Sequence, residues 1–231
     1  FASHPDNDTR LQEVVKAAGK VQNAEDRPPN RDLYLSHING LPVGDSRAQG
    51  VVRGSRFYHA DLGITLAFPT GWIVDNQRTK VVSYTEAKDA VMVVSAEAPP
   101  PGMAPKEFLG RMLQKVPTTE AEPLRVNNLD GYRAVVRSTT LPWGNQGPAN
   151  VAVVYYNNLA YIFQGYTRQA AGLSSFEPVF LSSVKTFRRL KDNEFTAAEP
   201  DRIRVIQANN QTKIEQLARK SPIKKYPAER L

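Results

Sequence analysis

The chain has no cysteine among its 231 residues, which excludes disulfides, thiolate zinc sites and a cysteine nucleophile. This absence leaves the cellular compartment open. Histidine is scarce too: His4, His37 and His59 are the only three. None of them opens the H-E-x-x-H helix of zinc proteases. Neither G-x-x-x-x-G-K-[ST], nor G-x-G-x-x-G after a strand, nor G-x-S-x-G occurs, which removes the usual nucleotide-binding and serine-hydrolase readings. No run of about 18 apolar residues is present, so no stretch reads as a membrane-spanning helix. Asp61 and Asp130-Gly131 read as turn residues, and no carboxylate acid/base pair follows from them.

What is present is enough apolar material, 41% of the chain, for one main domain with appendages. The formal charge is +7, and it is unevenly placed. Arg188 to Leu231 holds eleven Lys/Arg against six Asp/Glu, so five of the seven net charges lie in the tail. Such a tail suits nucleic acid, anionic lipid or an anionic wall polymer, although interleaved acids make a solvated surface the ordinary reading. No basic stripe runs along the strands, so nucleic acid is not expected as a partner.

In chain order, Asp6 to Thr9 supplies N-cap candidates for an amphipathic helix carrying Leu11, Val14, Val15 and Ala18. Residues 23–54 are dense in turn residues and read as a linker with one short helix at Arg31 to His37. Leu62, Ile64, Leu66 and Phe68 alternate with small or polar residues, predicting a strand with one buried face; Pro69-Thr70-Gly71 breaks it and Trp72, Ile73 and Val74 restart it. Further strands are expected at Val81–Tyr84, Ala90–Ala96, Leu124–Val126, Tyr132–Thr140 (after an Asp130-Gly131 turn), Val151–Tyr156 and Leu159–Tyr166. The last two form a hairpin closed by Asn157-Asn158. One helix follows Pro105 and carries Phe108, Leu109, Met112, Leu113 and Val116 on one face. A second spans about Ser174 to Thr186, burying Phe176, Val179, Phe180 and Val184, with Phe187 just after it and Pro178 in its first turn. Strands, helix, strands, helix with short turns predict an α+β fold: an antiparallel sheet with helices packed on it, preceded by an isolated amphipathic helix. Trp72, Trp143 and tyrosines 155, 156, 161 and 166 read as packing rather than as a stacking platform. The tail adds a strand over Arg202–Ile206 and a helix over Gln211–Lys220 with Ile214, Leu217 and Ala218 inward.

One feature stands apart from this packing scheme. His4 precedes Pro5 on the loop feeding the first helix, and Arg10 lies in that helix's first turn, so a donor and a cation can face one polar site. Taken by themselves, they are also consistent with a surface histidine beside an N-cap. Ser3-His4-Pro5 with Arg10-Leu11 resembles the closing motif of the HtpX and CAAX-prenyl-protease family of zinc metallopeptidases. The resemblance implies that His4 supports the scissile carbonyl oxygen and that Arg10 orients a ligand carboxylate. A longer stretch, Ile38-Asn39-Gly40-Leu41, Gly44-Asp45, Gly50-Val51-Val52-Arg53-Gly54, Phe57-Tyr58-His59, Leu62-Gly63 and Trp72, is similar to the segment after the catalytic domain in the secreted, envelope branch of that family. The sheet domain is similar in layout to the PsbP-like fold, an α/β/α sandwich used for binding. The tail is similar to a partial LysM module, the complete form of which binds peptidoglycan.

The resemblance implies four segments: 1–22, the last helix of a metallopeptidase domain; 23–54, a linker; 55–190, a PsbP-like accessory domain; and 191–231, a basic partial LysM-like tail. It implies a C-terminal portion of a zinc metalloendopeptidase of the bacterial periplasm or envelope. The zinc ligands and general base would belong to an upstream domain, and protein substrates, with peptidoglycan at the tail, would be partners. Zinc is the cofactor of that parent, and none is expected on this chain, which alone should be inactive. The other reading is a stand-alone PsbP-like binding protein without enzymatic activity.

Overall fold

The computed structural model describes residues 30–114, 116–221 and 223, together with the helical residues Gln12, Val15 and Lys16. It divides into two compact units, Pro42–Asp201 and a smaller one formed by 1–41 with 202–231. The α-helices whose bounds are described are α1 (Arg31–Ile38), α2 (Pro105–Met112), α3 (Leu173–Lys185) and α4 (Ile214–Lys220). The strands used below are β1 (Val51–Arg53), β2 (Arg56–His59), β3 (Ile64–Ala67), β4 (Ile73–Asn76), β5 (Lys80–Tyr84) and β6 (Ala90–Glu97). They continue with β7 (Thr118–Val126), β8 (Leu129–Thr140), β9 (Gln146–Tyr156), β10 (Leu159–Thr167) and β11 (Arg188–Arg189).

The larger unit is α+β, as the alternation of elements implies. Its main sheet is antiparallel and seven-stranded, in the order β4-β5-β6-β10-β9-β8-β7. A second sheet runs β11-β3-β2-β1. Helix α2 covers one face of the large sheet, where Phe108 and Leu109 meet Val136, Val151, Val153 and Ile162. Helix α3 and the small sheet cover the other, where Phe176, Phe180 and Val184 meet Met92, Val154 and Phe163, and Leu66 closes the small sheet. Each fully buried Leu, Val or Phe here contributes roughly 1.5–3 kcal/mol relative to exposure. Trp72 stacks on Phe176 with ring centroids 5.7 Å apart and planes 11° from parallel, tying the first strand of the large sheet to α3.

Several expectations need correction. The strand at Ile64 is not half-buried: Ile64, Thr65 and Leu66 are all buried, because it is enclosed by the small sheet's neighbours and α3. Thr65 meets this burial by donating its hydroxyl to the Phe57 carbonyl at 2.8 Å. After Gly71 the chain does not resume that strand; it starts β4 of the other sheet, with Ile73 exposed at the sheet edge. The turn before β8 is Asn127-Asn128 (φ 48° and 67°), not Asp130-Gly131, which lies inside β8. Asn157-Asn158 (φ 51° and 61°) closes the β9–β10 hairpin as expected, the same left-handed geometry in both places. In α3, Val179 is exposed, since the buried stripe is Leu173, Phe176, Phe180, Ser183 and Val184. Pro178 lies six residues into α3 rather than in its first turn, on the exposed flank.

Among the described residues of the smaller unit, backbone and polar contacts join its two chain segments. The Gly40 N–H donates to the Ile203 carbonyl (2.8 Å), and the Ile203 N–H donates to Leu41 (2.9 Å). The Val205 N–H donates to Asn39 Oδ1 at 3.0 Å. Of the strand expected over Arg202–Ile206 only Arg202 is in one, the two-residue strand Asp201–Arg202; Ile203–Ile206 is irregular chain pinned by these bonds. Ile214, expected inward, is 51% exposed at the start of α4.

Candidate functional site

His4 and Arg10, the two residues tied to catalysis by resemblance, lie outside the described residues. His37, at the end of α1, is exposed. What the structure does bring together is the run of residues from Asp45 to Gly63. The Asp45 carboxylate accepts the Val52 N–H at 2.7 Å and the Asn76 side-chain amide at 3.2 Å, joining the lead-in loop to β1 and β4. Arg47 bridges Asp61 (2.8 Å) and Glu199. Arg53 donates to Asp201 (2.7 Å) and to the Glu199 carbonyl (2.8 Å).

Gly50 takes a left-handed φ of 82°, and a Cβ there would lie 2.8 Å from the Tyr58 carbonyl and against the Phe57 ring. His59 is buried; its Nδ1 accepts the Leu62 N–H at 3.3 Å, and the ring also hydrogen-bonds the backbone of Ala48. Burial pushes its pKa below the ordinary value, against the opposing pull of Asp61, so the ring is a neutral clamp. Each of these residues supports the corner's architecture through the bonds just described.

Further ion pairs fix the unit elsewhere. Arg133 reaches Glu122 on β7 (2.8 Å) and Glu177 on α3, linking sheet edge to helix. Arg188 holds Glu194 through two bonds of 2.7 and 2.6 Å, and this pairing lowers the Glu194 pKa to about 2. Tyr161 is buried against Phe187 (centroids 4.7 Å), and burial raises its hydroxyl pKa to about 12. Trp143 donates its indole N–H to the Lys88 carbonyl at 3.0 Å. Tyr161 and Tyr166 are buried packing elements on β10, whereas Trp72 and Trp143 lie in turns. Among the described residues no three His, Asp or Glu side chains form a group that could hold a metal ion.

Hollows lie on the larger unit at α3 and at α2. One, about 460 Å³, lies open along α3 between Glu177, Pro178, Leu181, Ser182 and Lys185. The other, about 280 Å³, lies between α2 and β7 and is walled by Leu109, Leu113, Val116, Tyr132 and Ala134. Among the described residues Lys106 is the only charged side chain lining it, and it makes no ion pair there. Gly110 also lines it, inside α2, where an added Cβ would meet nothing within 4 Å. A helix-interior glycine costs about 1 kcal/mol relative to alanine, and no neighbouring atom requires it here. The cleft escaped sequence reasoning because its walls come from residues 106 to 134 on three separate elements. Gly110, breaking an otherwise apolar helix pattern, was the available signal.

No protein-family model matches the chain, and no curated protein matches it significantly. Among solved structures it is similar to the cyanobacterial PsbP protein of Synechocystis, at 14% identity and a TM-score of 0.44, over 64% of this chain and 98% of that one. It is similar to a Bacteroides thetaiotaomicron protein at 12% identity and a TM-score of 0.44, over 62% of this chain and 51% of that one. The Ran-binding protein Mog1p of Saccharomyces cerevisiae aligns at 13% identity and a TM-score of 0.40, over 57% and 92%. Likenesses this distant assign neither activity nor ligand. The α+β class rests on the strands and helices themselves.

Proposed function

We propose that the chain is the C-terminal portion of a zinc-dependent metalloendopeptidase of the bacterial cell envelope, and that its sheet unit is a non-catalytic accessory domain of PsbP-like layout. The observation that carries this reading is the residue pattern from Ile38 to Trp72, which resembles the segment following the catalytic domain in that family. Its Asp45, Gly50, Arg53, Phe57 and His59 are used together in one corner of the sheet unit, so the pattern is that of a folded module and not of a chance loop. Ser3-His4-Pro5 and Arg10-Leu11 add a second, shorter match. In the intact enzyme His4 would donate to the oxyanion and Arg10 would orient a ligand carboxylate. Zinc, held by ligands upstream of this chain, would supply the activated water.

The test is metal analysis and peptidase assay of the intact protein, with His4→Ala and Arg10→Ala variants. The reading requires chelator-sensitive hydrolysis that falls at least about a hundredfold in His4→Ala, the scale of one lost oxyanion donor, and about ten- to a hundredfold in Arg10→Ala, the scale of a lost partner that orients a metal ligand. Activity indifferent to both would contradict it. Envelope location is tested by cell fractionation. The partial LysM-like tail is tested by salt-sensitive retention on peptidoglycan, which removal of residues 191–231 should abolish.

A second reading, a stand-alone binding protein without enzymatic activity, is favoured by the apolar cleft between α2 and β7. It predicts a natural protein whose preceding sequence lacks H-E-x-x-H.

A further inference from the structure

We propose that the cleft between α2 and β7 binds the free C-terminal end of an extended polypeptide. Three independent features converge on it. The first is the free edge of β7: it is the outermost strand of the large sheet, and no described strand pairs with its outer side. Its pairing with β8 shifts between Thr119 and Glu122, leaving Glu120 and Ala121 out of the ladder, and Glu120 sits at φ 51°. Thr118, paired to Val136, and Ala121, out of the ladder, both line the cleft, so unpaired backbone at Ala121 lies beside an apolar hollow. This is the arrangement that strand addition uses, in which main-chain bonds give affinity and a side-chain pocket gives selectivity. Pro123, which has no N–H to offer, closes the usable edge on one side.

The second feature is Gly110. The space above it is open although alanine or leucine would fit the helix better, so the glycine keeps room for an incoming side chain. The wall of Leu109, Leu113 and Val116 makes that side chain aliphatic. The third is charge. Among the described residues lining the cleft, Lys106 is the one ion and none is a carboxylate, which suits a terminal carboxylate next to an apolar last residue. The occupant is thus a chain end whose last side chain sits over Gly110, whose carboxylate faces Lys106 and whose preceding residues extend along Thr118 to Ala121. This inference stands on the cleft alone and holds whether or not the parent is a peptidase.

The test is titration of the full chain with a fluorescent peptide of alternating Thr and Val ending in Leu with a free carboxylate. Three altered peptides accompany it: the C-terminal amide, the same chain ending in Ser, and one N-methylated at alternate amides. Each should bind at least about tenfold more weakly. Gly110→Leu fills the hollow and should abolish binding while its melting temperature stays level or rises. Lys106→Met should erase the preference for acid over amide. No binding of the parent peptide, equal binding of the acid and amide forms, or full binding by Gly110→Leu would each overturn the proposal. Displacement of the peptide is not expected from octanoate at matched concentration; equal binding of octanoate would assign the cleft to a lipid anion instead. Should Gly110→Leu fail to fold, the three altered peptides decide the matter on the unaltered protein.

Discussion

Replacing Gly50 by alanine asks whether the Asp45–Gly63 corner is built as described. Two costs apply. The left-handed φ of 82° disfavours any Cβ by roughly 1–2 kcal/mol. The methyl group would also press on the Phe57 ring and lie 2.8 Å from the Tyr58 carbonyl, an overpacking cost of about 1–3 kcal/mol because Phe57 is buried and cannot yield freely. Together they give about 2–5 kcal/mol. Gly54, four residues on in the same motif, supplies the control: its φ is 63°, but a Cβ there meets nothing within 4 Å. Gly54→Ala should therefore cost only the backbone share, roughly 1–2 kcal/mol. For a chain of this size that separates a melting shift of about 6–15 °C for Gly50→Ala from about 3–6 °C for Gly54→Ala. Thermal unfolding followed by near-ultraviolet circular dichroism, with Trp72 reporting on the same unit, measures both. Equal shifts for the two variants would refute the close approach of Gly50 to Phe57.

Other predictions follow from the same structure. Glu194, with a native pKa of about 2 against 4.5 unfolded, binds fewer protons when folded. Its stabilisation is thus fully present above about pH 5 and lost between pH 4.5 and 2. Taken at face value the shift is worth roughly 3 kcal/mol, reduced by solvent screening to about 1–2. Urea denaturation at pH 6 and pH 3 should show Glu194→Gln losing that fraction of pH dependence. His59 acts in the same direction through a different group. Its folded pKa is depressed by burial, so its contribution is present above pH 6.5 and declines as pH falls, and the NMR titration of its ring should shift below the free value. Phe187→Ala removes a fully buried ring contacting Tyr161 and Phe163 and should cost about 3–5 kcal/mol in denaturant unfolding.

The sequence made the strands of the sheet legible where residue chemistry was local. Asn157-Asn158 announced its hairpin because asparagine tolerates positive φ. Asn127-Asn128 carried the same signal but was outweighed by the nearby Asp130-Gly131, whose glycine serves a different need: a Cβ at Gly131 would crowd the Val153 carbonyl of β9. Alternation at Leu62 to Phe68 identified a strand but not its two-sided burial, because that depends on β11 and α3, more than a hundred residues away. Val179 was placed inward because hydrophobicity alone does not choose between neighbouring positions at the margin of a helix stripe. The expected strand at Arg202–Ile206 has the right alternation but stops at Arg202, because Asn39 and Leu41 take the backbone bonds of Ile203 and Val205. The Arg47 and Arg53 networks were illegible, since their partners Glu199 and Asp201 lie about 150 residues further along. The cleft beside Gly110 is hidden because its walls, though within residues 106 to 134, come from separate elements whose packing periodicity does not reveal.

The central claim is that this sheet unit serves a zinc peptidase. Its most direct test is the intact protein purified from its natural source, read for zinc content and chelator-sensitive hydrolysis of an unfolded protein. The account predicts about one zinc per chain, an H-E-x-x-H segment preceding Phe1 and cleavage that stops on zinc removal. A natural protein lacking that segment, holding no zinc and cleaving nothing would contradict it.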